Sequence, residues 1–156
     1  MRNKLCLILM SVFLLNTAAF ASSADYPDDL FISITNHGNE NCVLTHSQVL
    51  HGQLYKSGIP LILQAQGSTY SFTITGTSTT SADLTYTCGN SKAITLHMDQ
   101  SHKSRHNHTS INASVLDATN ITETHKTTVT YHNRRDGYPD NSGHQHPGEV
   151  EWKLFF

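Results

Sequence analysis

Glu149-Val150-Glu151-Trp152-Lys153-Leu154-Phe155-Phe156 is the stretch on which the fold turns. Val150, Trp152, Leu154 and Phe156 alternate with Glu149, Glu151, Lys153 and Phe155, so successive side chains take opposite faces of an extended backbone. A helix would scatter those apolar residues around its circumference. The segment therefore reads as a half-buried strand. Because it holds the only Trp of the chain, it is expected to pair on both sides within a sheet rather than lie at an edge.

The same period of two recurs upstream. Leu30, Ile32 and Ile34 share a face, then Cys42, Leu44 and His46, then Tyr70, Phe72 and Ile74. Leu84, Tyr86 and Cys88 follow, and after them Ile94, Leu96 and Met98. A further short strand is expected from Val49 to Tyr55 with Gly52 inside it, and Ile59 to Leu63, with Pro60 near its start, suits a sheet edge. Turn signals separate these runs at Asn36 to Asn39, Gly67-Ser68, Gly76 to Ser81 and Gly89-Asn90. Short strands at regular spacing predict one all-β domain, a single antiparallel β-sandwich of about eight strands. From Gln100 to Gly148 the alternation fades: Ile111, Ala113 and Val115 still alternate and Val129 with Tyr131 suits another strand, whereas Ser101 to Thr109 and Asn133 to Gly148 are expected to be polar, His-rich loops.

At the N-terminus, Arg2 and Lys4 precede an apolar run from Leu5 to Leu15, and Ala19 and Ala21 place small residues before a cut. This predicts a secretory signal peptide over 1–21, a β-sandwich domain over 22–156, and a secreted or periplasmic location. Nothing later in the chain is expected to span a membrane as a helix. Losing Arg2 and Lys4 from ten basic residues leaves 8 against 12 acidic ones, about −4 with neutral histidines. Eight scattered basic residues do not make a nucleic-acid surface. Export leaves two cysteines, Cys42 and Cys88, which in an oxidising compartment predicts a disulfide.

The eleven histidines stand out. His106 and His108 form one His-x-His pair and His144 and His146 another, a spacing that places two imidazoles on one side of a strand. With His102 or Asp99 as a third ligand, the two pairs are candidate Zn or Cu ligands, and Zn and Cu are the candidate cofactors. Histidine also titrates between neutral and mildly acidic pH, so protonation of all eleven would carry the net charge from about −4 to roughly +5 or more and favour anionic surfaces. No nucleophile elbow, His-Glu-x-x-His, phosphate loop or Cys-x-x-Cys is present, and the chain is read as a non-enzyme. The reading is an exported, non-catalytic binding module with an unknown protein or lipid surface as partner. A Zn- or Cu-binding exported protein is the alternative. An outer-membrane barrel, suggested by the alternating segment that ends in Phe156, needs about eight strands of roughly ten residues with continuous lipid-facing rows, and these runs are shorter.

Ile32-Ser33-Ile34-Thr35-Asn36-His37-Gly38, then Val49-Leu50-His51-Gly52-Gln53-Leu54, then Gly67-Ser68-Thr69-Tyr70-Ser71-Phe72 is similar in order to the opening strands of aegerolysin-type β-sandwiches. That resemblance covers about the first half of the exported chain and implies a small single-domain protein that binds lipid membranes, in some cases as the partner of a pore former. The aromatic-rich acidic segment usual after the central strands of that family has no counterpart here, and no functional residue carries over.

Overall fold

A computed structural model describes residues 29–56, 58–76, 78–103, 108–121, 123–130, 138–139, 145–146 and 148–156. The expected signal peptide lies outside them. The strands are β1 (Leu30–Asn36), β2 (Cys42–His51), β3 (Gln53–Tyr55), β4 (Ile62–Leu63), β5 (Thr69–Thr75), β6 (Thr79–Cys88), β7 (Lys92–Lys103), β8 (His108–Thr119), β9 (Glu123–Thr130), β10 (Tyr138–Pro139), β11 (Gln145–His146) and β12 (Gly148–Phe155). There is no helix among the described residues, and none long and apolar enough to cross a membrane.

Two five-stranded sheets, β3-β5-β1-β12-β9 and β4-β2-β6-β7-β8, form the sandwich, and β10 with β11 makes a separate two-stranded pair. Both sheets feed one core. Leu30, Ile32, Ile34, Phe72, Ile74, Val150, Trp152 and Leu154 come from the first, and Leu84, Tyr86, Ile94, Leu96 and Met98 from the second. In β12 the alternation read from the sequence is that between buried and partly exposed positions, whereas every residue of β1 is buried.

β12 lies between β1 and β9, with Trp152 wholly buried opposite Ile34 on one side and Lys126 on the other. Its apolar row faces the core, which removes the lipid-facing role that a barrel strand would need. One pair departs from the antiparallel expectation, since β1 and β12 run parallel. Parallel neighbours need a long crossover, and here the whole intervening chain supplies it.

Two strand expectations change. Val49 to Tyr55 is not one strand, because β2 ends at His51 in one sheet and β3 begins at Gln53 in the other. Gly52 turns the corner with φ of 90°, in the left-handed region that glycine enters without steric cost. Of the stretch Ser101 to Thr109, expected to be loop, Ser101 to Lys103 instead continue β7 and His108 opens β8, while the alternating Ile111, Ala113 and Val115 lie on β8 and Val129 on β9 as expected. Alternation at the end of β7 was masked because the inward positions there are polar. Gln100 is fully buried and its Nε2 donates to the Asp29 carbonyl at 3.0 Å, while Thr80 and Thr109 are buried nearby in the register.

Cys42 and Cys88 are bonded and are register partners on β2 and β6. Tyr86, two residues earlier on β6, donates its hydroxyl to the Pro60 carbonyl at 2.9 Å and so holds the approach to β4.

Candidate functional site

Two chain crossings stand side by side at one end of the sandwich. The first passes from β2 to β3 through Gly52, and the second from β5 to β6 through Gly76. They are locked together by the pairing of Gln53 with Thr75 and by a hydrogen bond from the Thr75 hydroxyl to the Gln53 carbonyl at 3.4 Å. Neither glycine has room for a side chain. A Cβ on Gly52 would sit 2.5 Å from the Thr75 carbonyl oxygen, and one on Gly76 would sit 2.6 Å from that of Thr79. Thr80, fully buried, lies against both glycines.

Between the crossings opens a cleft of about 520 Å³ lined by His51, Gly52, Gln53, Thr75, Gly76, Ser78 and Thr79. Its side chains offer an imidazole, a carboxamide and three hydroxyls, all of which exchange hydrogen bonds. Leu50 and Leu54 flank the lining segment in the chain and are each 39% exposed. The β2–β6 register shifts between Val49 and His51, so Leu50 is the extra residue of a bulge, a device that re-aims a side chain. A polar hollow thus has exposed leucines beside it.

A second polar group occupies the outer face of the other sheet. His97 on β7 faces Asp83 on β6 in register, with Nδ1 2.5 Å from Asp83 Oδ1 and Nε2 3.3 Å from Asp99 Oδ2. A ladder of hydroxyls adjoins it, with Thr85 3.0 Å from Thr95 and Thr45 donating to the Thr85 carbonyl at 3.2 Å. The two ring nitrogens of His97 thus each meet a carboxylate, Asp83 across the strands and Asp99 along the same strand.

Of the expected Zn or Cu ligands, His102, His108 and His146 fall among the described residues. His106 and His144 lie outside them. His102 is the register partner of Thr109 and His108 that of Lys103, so these two histidines stand at adjacent register positions, and His146 pairs with Tyr138. No group of three His, Cys, Asp or Glu suited to a metal occurs among the described residues. Asp99, the other expected third ligand, has Oδ2 3.3 Å from His97 Nε2. Elsewhere His37 stacks on Phe155 at 4.7 Å and His125 meets the same ring edge-on at 5.2 Å.

The cleft was not anticipated from the sequence. Its signal was present in Gly76, which opens a turn signal, and in Gly52, which interrupts the run expected as one strand, but the sequence does not show that the two positions adjoin.

No family model matches the chain, and no curated protein does. Among solved structures, it is similar to the crystal structure of the lipid binding protein Nakanori, with a TM-score of 0.51 over 82% of this chain and 71% of that one. At 7% identity the likeness concerns the fold. It agrees with the sandwich architecture, and the resemblance to aegerolysins gains no support from a family model.

Proposed function

We propose that this chain is an exported, non-catalytic β-sandwich module that binds a lipid surface with the end of the sandwich that carries the cleft. The observation that carries the reading is the pairing of a polar cleft with exposed Leu50 and Leu54 on either side of its His51-Gly52-Gln53 wall. At a membrane interface apolar side chains enter the acyl boundary while polar groups stay at headgroup level. The fold likeness to a lipid-binding protein supports the same direction. The paired corners make this end stiff, since Gly52 and Gly76 pack directly on carbonyls of the opposite crossing or turn, and a preorganised site loses little entropy on binding.

Flotation of the purified protein with phospholipid vesicles tests the reading. Co-flotation that is lost on replacing Leu50 and Leu54 with Asp supports it, and a protein that stays at the bottom of the gradient with every vesicle type overturns it.

A further inference from the structure

The headgroup chemistry that the cleft selects follows from what lines it. Among the described lining residues there is no Lys, Arg, Asp or Glu and no Phe, Tyr or Trp. Recognition of a phosphate or carboxylate draws on Arg, Lys or a helix N-terminus. A quaternary ammonium is held against aromatic faces. The described lining residues contain none of these and supply no helix end.

What they do contain is a set of neutral, two-way hydrogen-bonding groups. The carboxamide of Gln53 has two donors and an acceptor, and the hydroxyls of Thr75, Ser78 and Thr79 each donate once and accept twice. Thr75 spends its proton on the Gln53 carbonyl, which leaves its oxygen as an acceptor. The imidazole of His51 adds a further polar edge. Such a set is complementary to a ligand that is itself a dense array of uncharged hydroxyls, each able to donate and accept. The volume of about 520 Å³ falls within the range of about 300–1,000 Å³ usual for small-ligand sites.

We infer that the cleft binds an uncharged sugar, presented as the headgroup of a glycolipid. The inference rests on the lipid-facing reading of this end of the sandwich and adds what that end selects. The membrane source follows from two features. An open cleft that offers only neutral hydrogen bonds exchanges them against water with little net gain, so a single free sugar is held weakly. A membrane offers many copies of the headgroup, together with an apolar boundary for Leu50 and Leu54, so the same contacts become effective there.

The test compares flotation at neutral pH with three vesicle types: phosphatidylcholine alone, phosphatidylcholine with phosphatidylglycerol, and phosphatidylcholine with neutral galactosyl or glucosyl diacylglycerol. Gln53→Ala removes the carboxamide, and Ser78→Trp fills the cleft from an exposed position; thermal melts establish that both variants fold. The inference expects at least tenfold stronger binding to a glycolipid vesicle than to either other type, with that preference lost in both folded variants. Equal binding to phosphatidylcholine alone, or a preference for phosphatidylglycerol, overturns the sugar inference and leaves lipid-surface binding standing. Binding of a soluble methyl hexoside that Gln53→Ala abolishes, without vesicle binding, keeps the sugar site and overturns the membrane reading. Binding to neither overturns both.

Discussion

Cys42 stands directly opposite Cys88 in the β2–β6 register, so the bond that closes a sequence separation of 46 also fixes how β2 lies on β6. β2 needs that anchor. Its register shifts twice along its length, between Leu44 and His46 and between Val49 and His51, and all but its first residue are at least partly exposed. In the chain-entropy picture a bridge over a loop of this length contributes about 4 kcal/mol. Denaturant unfolding with and without reductant, and of Cys42→Ala/Cys88→Ala, is expected to show a loss approaching that size. An unchanged midpoint would contradict it.

Tyr86 gives a pH dependence with a definite sign. Burial raises its phenol above the ordinary value, so the fold holds the protonated form that donates to Pro60. The unfolded chain ionises near pH 10. The contribution of Tyr86 is therefore complete below about pH 10 and is lost progressively as pH rises from there towards the folded value. Tyr86→Phe is expected to cost about 1 kcal/mol at neutral pH through the missing hydrogen bond and to flatten the alkaline decline. Unfolding measured from pH 8 to 11 for both proteins checks this, and parallel curves would refute it.

The polar end of the core is tightly filled. A Cβ on Gly148 would lie 2.0 Å from Gln100 Oε1 and 2.5 Å from Ile111 Cδ1. Gly148→Ala is expected to destabilise by about 1–3 kcal/mol through overpacking. Gln100→Ala opens the space that the new methyl needs, although it also removes the bond to the Asp29 carbonyl. The double variant should then lose less than the sum of the two single losses, a non-additivity that a mutant cycle resolves. Strict additivity would show that the two residues do not share that space.

How far the fold could be read from the chain depended on whether inward positions were apolar. Val150, Trp152 and Leu154, like Ile94, Leu96 and Met98, advertised their face, and the period of two carried straight through to the structure. Gln100 and Thr109 face inward with polar side chains, so the end of β7 and the start of β8 looked like loop. The disulfide followed from the expectation of export and the even cysteine count that it leaves. The cleft did not follow, because Gly52 and Gly76 are separated in the chain and only the pairing of β3 with β5 brings their corners together. Asp83 and His97 were equally hidden, since a cross-strand pair needs the register.

Metal handling through the His-x-His pairs is open to a direct check. Thermal melts with chelator and with stoichiometric Zn(II) or Cu(II) are expected to coincide if the module works without metal. A metal-dependent rise in melting temperature that vanishes in His106→Ala or His146→Ala would instead establish a site.

The proposed lipid-facing end is tested most directly by comparing exposed leucines at the two ends of β2. Leu50 and Leu54 flank the cleft wall, whereas Leu61, 70% exposed, accepts a backbone hydrogen bond from Leu44 near the opposite end of that strand. Vesicle flotation of the wild type, of Leu50→Asp/Leu54→Asp and of Leu61→Asp is expected to show binding by the first and third and none by the second. Binding that survives in Leu50→Asp/Leu54→Asp but is lost in Leu61→Asp would contradict the assignment of the membrane-facing end.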